Sequence, residues 1–329
     1  MKEALFWEKA GDTKVQCRLC PKNCLIADGK HGYCRARENH GGTLYSIIYE
    51  RVTSVAMDPI EKKPLYHFHP ASRILSLGTR GCNFGCLFCQ NFGISQGDAP
   101  LQEIKKEWVV EAAIREGSVG VAYTYNEPFI WYEFVKDCCE LVRKKGLANV
   151  LVTNGYVNPE PLEEILPLID AMNIDIKSSN PEFYKKICMG TLEPVLHTVK
   201  RSSEVTHVEV TNLVIPGHND SDQDLHTLAA WIADNVGPFV PTHLSAHFPR
   251  YRLNAGATPE STLLRAYEIF SKRLKYVYVG NVRLAQGSTT FCRVCGAIQV
   301  ERAGYQIQIR HMGKDGKCKQ CGTENNIKV

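Results

Sequence analysis

The stretch RILSLGTRGCNFGCLFCQN, at residues 73–91, decides the fold because it joins a strand-like segment to a loop with three cysteines. Its first part, RILSLG at 73–78, is short and apolar, as buried strands are. Cys82, Cys86 and Cys89 follow, with three and then two residues between them. Closed structural metal sites usually have four protein ligands. Three thiols on one loop therefore raise the question of what completes their coordination.

Further strand-like segments recur along the chain, with helix-like segments between them. We predict strands over 120–124, 149–153, 171–176, 208–215, 242–248 and 276–280. We predict helices over 102–117, 128–145, 159–169, 181–188, 194–203, 221–235 and 259–273. Repeated βα units predict a parallel sheet with right-handed crossovers, which is compatible with a partial barrel and with a doubly wound sheet. In either architecture, ligands bind at the carboxyl ends of the strands.

Polar residues occur at the ends of several of these strands. They are Asn126 and Glu127 after one strand, Thr153 and Asn154 after the next, Asp175 and Lys177 after the third, and Asn212 and His247 late in two later strands. Asp175 and Lys177 lie two residues apart, on one face of a strand, and could form either an ion pair or part of a ligand site. Asn154 precedes Gly155 and could instead belong to a turn.

The composition is that of an ordinary globular chain. Its 329 residues are 44% hydrophobic and 22% charged, and the net charge of +4 is too small to predict nucleic-acid binding. The start of the chain lacks the apolar run of a signal peptide, and no segment is predicted to cross a membrane. We therefore expect a cytoplasmic protein whose fourteen cysteines are thiols or metal ligands rather than disulfides.

Eleven of the cysteines form three groups. We name them the N-terminal cysteine group (Cys17, Cys20, Cys24 and Cys34), the cysteine loop (Cys82, Cys86 and Cys89) and the C-terminal cysteine group (Cys292, Cys295, Cys318 and Cys321). The C-terminal group consists of two CxxCG turns with 22 residues between them, which predicts a zinc ribbon. The irregular spacing of the N-terminal group is compatible with zinc and with a second iron–sulfur cluster.

The cysteine loop has two interpretations. Cys138, Cys139 or Cys188 could supply a fourth ligand and complete a zinc site. Cys138 and Cys139, however, lie in an amphipathic segment where at least one of them is expected in the core. Alternatively, three thiolates could hold three irons of a [4Fe–4S] cluster and leave the fourth iron open, as catalytic metal sites often are.

These patterns predict an α/β fold with three parts. Residues 1–70 form a small Cys-rich module, residues 71–285 the βα series, and residues 286–329 a zinc-ribbon-like module.

The motifs resemble those of a known family. CNFGCLFC, with Phe88 before its last cysteine, resembles the CxxxCxxC signature of the radical S-adenosylmethionine (SAM) superfamily. The stretches VQCRLCPKNC, KKPLYHFHPAS, YTYNEP, TNGY, NIDIKS and LVIPGHND are similar to the pyruvate formate-lyase activating enzyme-like branch, in particular to the radical SAM enzymes of the AmmeMemoRadiSam system. The resemblance covers most of the chain. For residues 71–285, it implies a partial (β/α)6-type parallel barrel.

The resemblance implies a cofactor and a set of contacts to it. Cys82, Cys86 and Cys89 would bind a [4Fe–4S] cluster whose fourth iron chelates SAM, and an external donor would supply the electron. The residues that would contact SAM are Phe88 at the adenine, Asn126 and Glu127 at the amino group, Thr153 and Asn154 at the carboxylate or ribose, and Asp175, Lys177 and His247 at other strand ends. YTYNEP departs from the Gly-Gly-Glu form of the superfamily, which leaves open whether this contact is made by side chain or backbone.

We therefore expect an oxidoreductase of the activating-enzyme type. Reductive cleavage of SAM would yield a 5′-deoxyadenosyl radical that abstracts hydrogen from an unknown substrate, for which a glycyl-radical-type protein is one candidate. The alternative is a zinc-scaffold module that binds RNA or a protein, with zinc at all three cysteine groups. The absence of a concentrated basic stripe with stacking aromatics counts against RNA binding.

Overall fold

The computed structural model describes residues 1–282, 284 and 286–329. Its centre is an eight-stranded sheet whose strands we number in chain order. They are β1 (Ser54–Pro59), β2 (Arg73–Gly78), β3 (Gly120–Tyr123), β4 (Ala148–Thr153), β5 (Ala171–Asp175), β6 (His207–Val214), β7 (Thr242–Ala246) and β8 (Val277–Gly280). The predicted domain boundary at residue 285 lies outside the described residues.

The order of the strands distinguishes the two architectures that the sequence leaves open. Neighbours in the sheet are neighbours in sequence from β1 to β8, and the order never reverses. Every pair from β2 to β8 is parallel, whereas β1 is antiparallel to β2. A doubly wound sheet would have a switch point where the order reverses. The structure is therefore a partial barrel of six βα units and a seventh parallel strand, with β1 added at one edge.

Six helices connect the parallel strands. They are α1 (Lys106–Arg115), α2 (Tyr132–Lys144), α3 (Pro159–Ile165), α4 (Glu193–Ser203), α5 (Asp222–Asn235) and α6 (Glu260–Ser271). Shorter helical turns occupy Phe92–Ser95, Pro128–Trp131, Leu166–Leu168 and residues 181–188. The helix predicted from residue 102 begins only at Lys106, because Gln102–Glu103 pairs as a strand with Arg51–Val52.

The described residues form four buried hydrophobic clusters, of which a large one and a smaller aromatic one flank the cysteine loop and the sheet. The large cluster lies between the helices and the sheet, and all residues of β3 and β7 are buried. The aromatic cluster lies beside the cysteine loop and includes Phe84, Phe88, Tyr156 and Tyr184. Strands β2 to β8 are buried over most of their length, and β5, β6 and β7 also carry buried polar side chains, among them Asn173, Glu209 and His243.

The N-terminal segment forms two small antiparallel sheets. One contains Lys2–Glu3, Arg37–His40 and Thr43–Ser46, and the other contains Trp7–Lys9, Val15–Cys17 and Leu25–Ile26. The segment is attached to the barrel by an ion pair between Arg37 and Glu133, whose side chains are 1% and 0% exposed. Strand β1 falls inside the predicted N-terminal module by sequence but belongs to the barrel sheet.

The C-terminal segment is a three-stranded antiparallel sheet. Its strands are Thr290–Phe291, Ile298–Ala303 and Gln306–Ile309. Arg302 Nη2 donates to the Tyr66 carbonyl at 2.7 Å, and the Lys328 amide donates to the His67 carbonyl at 2.8 Å. The segment is thus docked on residues 66–69. Among the described residues, no helix combines the length and the apolar character that crossing a bilayer requires.

Candidate functional site

The cysteine loop leaves the carboxyl end of β2 and is held in place by Asn126. The Asn126 Oδ1 atom accepts a hydrogen bond from the Thr79 amide at 3.1 Å, and its Nδ2 donates to the Gly81 carbonyl at 2.9 Å. Gly81 has φ of +100°, a conformation that favours glycine. The side chain of Asn126 therefore orients the backbone immediately before Cys82.

Hydrogen-bond donors surround the sulfur atoms of the loop. The Phe84 amide and Asn154 Nδ2 lie 3.4 and 3.7 Å from Cys82 Sγ, and Ser95 Oγ lies 3.1 Å from Cys89 Sγ. Burial, followed by the charge of Glu127, raises the pKa of the Cys82 thiol well above its ordinary value. A bound metal cation would offset that cost, since metal ligation deprotonates the thiol.

Cys188, one of the three isolated cysteines, packs beside the cysteine loop. The Gly85 amide donates to the Cys188 carbonyl and the Leu87 amide to the Ile187 carbonyl, both at 3.0 Å. Cys86 and Cys188 share the aromatic cluster, and contact with the Cys188 thiol, together with burial, raises the pKa of Cys86. Cys138 and Cys139 lie instead in the large core cluster.

Glu127 binds the residues that follow β4. Its Oε1 accepts hydrogen bonds from Thr153 Oγ1 at 2.7 Å and from the Phe129 amide at 2.9 Å, and its Oε2 accepts from the Asn154 amide at 2.8 Å. The side chain is 1% exposed, and burial raises its pKa to about 7. Both carboxylate oxygens are thus engaged within the protein, so Glu127 orients Thr153 and Asn154 at the end of β4.

Asp175 and Lys177 form the ion pair that their spacing allows. Lys177 Nζ lies 2.7 Å from Asp175 Oδ2 and 6.0 Å from the centre of the Phe88 ring. Burial opposes the charge on Lys177, but Asp175 and the nearby Cys86 sulfur raise its pKa above the ordinary value. The pair therefore places charged groups at the end of β5, beside the cysteine loop.

His247 follows β7 and is fully buried. Neither ring nitrogen makes a hydrogen bond with any residue that the structure describes, while the His247 backbone amide donates to Thr258 Oγ1 at 2.7 Å. Burial lowers the pKa of His247, so the ring is neutral near pH 7. Buried polar groups are normally paired, and an unpaired imidazole at a strand end is available to a ligand.

Sequence reasoning did not single out two residues that support the loop. Asn83 Oδ1 accepts from Asn154 Nδ2 at 2.9 Å, and Asn83 Nδ2 donates to the Tyr156 carbonyl at 2.7 Å. Ser95, which contacts Cys89, is 3% exposed. Both lie within 13 residues of Cys82, but only the folded loop brings them into contact with the sulfur atoms or their partners.

The C-terminal cysteine group has the geometry of a site for a single metal ion. Its four sulfur atoms lie within 4.8 Å of one another, with Cys292 and Cys321 at 3.5 Å and Cys295 and Cys318 at 3.6 Å. Thiolates on a tetrahedral zinc ion lie at about 2.3 Å from it and therefore at similar separations. Burial opposes ionisation of Cys292, but the backbone amides of Cys295 and Val294 lower its pKa to about 6.

The other two cysteine groups are more widely spaced. Among the residues that the structure describes, neither the cysteine loop nor the N-terminal group brings three sulfur atoms within 4.8 Å. Only the C-terminal group of the three therefore has the sulfur spacing of a single-ion site. This counts against the alternative in which zinc binds at all three groups. The loop fits a [4Fe–4S] cluster, in which each thiolate binds a different iron. The unpaired His247 nitrogens and the polar strand ends fit a polar ligand such as SAM.

Comparisons with known proteins agree with this geometry. Residues 76–232 match the model of the radical SAM superfamily. An uncharacterized protein of Methanocaldococcus jannaschii is 46% identical over 99% of both chains. Pyruvate formate-lyase 1-activating enzyme of Escherichia coli is 27% identical over 47% of this chain and 66% of that one. A radical SAM methyltransferase from Sphaerobacter thermophilus shares the fold, with a TM-score of 0.52, 18% identity and coverage of 70% of this chain and 72% of that one.

The match to the family model begins within β2 and contains the cysteine loop and the strand ends of β3 to β6. The protein belongs to the radical SAM superfamily and is a homologue of the radical SAM activating enzymes.

Proposed function

We propose that this radical SAM enzyme binds a [4Fe–4S] cluster through Cys82, Cys86 and Cys89 and binds SAM at the adjoining strand ends. The observation that carries the proposal is that the loop with three separated thiols is contacted by the Asn126 and Asn154 side chains, and that Glu127 holds the Asn154 amide. When bound, the cluster supplies the electron that cleaves SAM reductively to a 5′-deoxyadenosyl radical.

The residues of the proposed site divide into those that orient the loop and the strand ends and those that would contact SAM. Asn126 and Glu127 have their oxygens engaged within the protein, so they orient the loop and the end of β4. Thr153 and Asn154 also bond within the protein, so they hold the end of β4 in place beside the loop. His247 and the Asp175–Lys177 pair are left as contacts to SAM. The Phe88 ring, 4% exposed, would cover the adenine and exclude water.

A protein is the substrate class that the homologues favour. The chain is 27% identical to an enzyme named for activating pyruvate formate-lyase, which is itself a protein. By analogy, we propose hydrogen abstraction from a partner protein, with a glycyl-radical-type enzyme as the first candidate, and an external one-electron donor. The analogy covers 47% of this chain, so the substrate must be tested directly.

Zinc at the C-terminal cysteine group and a cytoplasmic location complete the proposal. All fourteen cysteines are free thiols in the structure, and thiols of this number persist in a reducing compartment. Four thiolates at single-ion spacing suit zinc, which would stabilise a sheet too small to fold on its own core.

The proposed reaction has a direct test. After anaerobic reconstitution with iron and sulfide, dithionite and SAM should yield 5′-deoxyadenosine. Cys86→Ala should abolish the product, whereas Cys138→Ala, which removes a buried thiol from α2, should retain it. An undiminished yield from Cys86→Ala would refute the assignment.

A further inference from the structure

The two four-cysteine groups differ in the spacing of their sulfur atoms. In the C-terminal group all four sulfurs lie within 4.8 Å, and two thiol pairs are in contact at 3.5 and 3.6 Å. In the N-terminal group no three sulfurs are that close, and within the described part of the chain its thiols form no hydrogen bond with one another. One tetrahedral ion would require the first arrangement. The wider spacing of the second suits thiolates that each bind a different metal atom.

The four thiols of the N-terminal group nevertheless surround one cavity. Cys17, Cys20, Cys24 and Cys34 all line it, together with Leu19, Ile26 and Ile130. Cys17 and Cys20 are buried, and Cys24 and Cys34 are half-buried. Lys22, Tyr33 and Arg37 also line the cavity. A cavity with aliphatic side chains, two cations and four converging but separated thiols is suited to a negatively charged cluster whose outer surface is sulfur.

Hydrogen-bond donors approach these sulfurs as they do in the cysteine loop. The Tyr33 amide lies 3.4 Å from Cys24 Sγ, and Arg37 Nη1 lies 3.8 Å from Cys17 Sγ. The guanidinium is buried and paired with Glu133. Hydrogen bonds and charges at cluster sulfurs are among the means by which a protein sets a cluster's reduction potential.

The N-terminal group packs directly against the cysteine loop. A Cβ atom added at Gly81 would lie 2.3 Å from the Cys34 carbonyl oxygen, and one added at Gly85 would lie 2.4 Å from the Tyr33 hydroxyl. Lys22 Nζ contacts the Met189 carbonyl and lies 4.1 Å from the centre of the Tyr33 ring. Backbone atoms of the two cysteine sites are therefore in van der Waals contact.

We propose that Cys17, Cys20, Cys24 and Cys34 bind a second [4Fe–4S] cluster rather than zinc. The cluster has all four positions filled by thiolates and binds no SAM. Its place beside the cysteine loop allows one electron to pass from the external donor through this cluster to the SAM-binding one, so that the second cluster is reoxidised as the first is reduced. The assignment of the metal does not depend on the proposed function.

Metal counting on the full-length protein tests the proposal. Anaerobically reconstituted wild type should hold about eight irons per chain, as two cubane clusters require, and about one zinc. The variant in which Cys82, Cys86 and Cys89 are all serine should retain about four irons, visible iron–sulfur absorbance and a dithionite-reduced paramagnetic signal that SAM does not alter. That result is obtained whether or not the wild type cleaves SAM.

Two further variants provide controls. Cys20→Ser with Cys24→Ser should retain about four irons and a paramagnetic signal that changes on addition of SAM. Cys292→Ser with Cys295→Ser should keep about eight irons and lose the zinc. About two zinc ions in the wild type, or no iron in the variant without the loop cysteines, would overturn the proposal. If the Cys20 and Cys24 variant does not fold, the loop variant still decides between iron and zinc.

Discussion

The Asn154 side-chain amide donates a hydrogen bond to the Asn83 side-chain oxygen at 2.9 Å, which joins the end of β4 to the cysteine loop. The same Nδ2 atom lies 3.7 Å from Cys82 Sγ. A residue predicted from its strand-end position thus contacts both the loop and one of its thiols. Neither contact is with a neighbour in sequence.

Asn154→Ala should slow SAM cleavage. Removing a side chain that orients a metal ligand commonly costs 10- to 100-fold in activity, so we expect the rate of 5′-deoxyadenosine formation to fall about tenfold or more. Asn83→Ala should have a similar effect, and the double variant should lose little more, because both side chains act through one contact. The exposed Asn235→Ala, at the end of α5, is the matched control. An unchanged rate in Asn154→Ala would contradict this role.

Glu127 should make folding stability depend on pH. Its pKa is about 7 in the folded chain, against 4.5 when unfolded, so the folded state retains the proton over that interval. Its contribution to stability is complete below pH 4.5 and is lost as the pH rises to about 7, by a total of about 3 kcal/mol. The free energy of unfolding is measured anaerobically in urea for wild type and for Glu127→Gln. The difference between the two values at each pH gives the contribution of the Glu127 carboxyl. If that difference is independent of pH, Glu127 does not titrate in this range.

His247→Phe should weaken the binding of SAM. Phenylalanine fills the buried space but offers no nitrogen, and one lost hydrogen bond corresponds to about a tenfold increase in the dissociation constant. Anaerobic calorimetric titration of the reconstituted protein measures that constant, while iron content reports whether the cluster is intact. His226→Phe, on the exposed face of α5, should bind SAM as the wild type does. Equal affinities in the two variants would exclude His247 from the SAM site.

The Arg37–Glu133 ion pair, which joins the N-terminal segment to the barrel, should contribute strongly to folding stability. Arg37→Met leaves the Glu133 carboxylate buried without its partner and should destabilise the fold by about 3–5 kcal/mol. Arg37→Met with Glu133→Leu should restore part of that loss. Arg18→Met breaks an ion pair with Glu8 whose side chains are 49% and 55% exposed, and should cost about 1 kcal/mol or less. Unfolding midpoints in urea would rank the three variants, and equal losses in both single variants would contradict the prediction.

Much of the barrel could be predicted from the sequence because its βα rhythm is local. Apolar runs separated by helical periodicity specify parallel strands, and all seven predicted strands are present. The paired CxxCG turns likewise placed four thiols at one site, since each turn orients its own two cysteines. The beginning of α1 was predicted four residues too early because Gln102–Glu103 pairs with Arg51–Val52, a partner that local sequence does not reveal.

The sequence by itself therefore determined the βα order, the spacing of the thiols and the strand ends at which polar residues stand. Only the tertiary structure decided which of those groups are engaged internally, as Glu127 is, and which have no hydrogen-bond partner among the described residues, as with the His247 ring. It also placed Cys188 beside Cys86 and Cys34 against Gly81. The physical reason is that spacing along a chain controls contacts within a turn or a strand. Contacts between distant residues depend on sheet register and on packing, which the whole chain settles together.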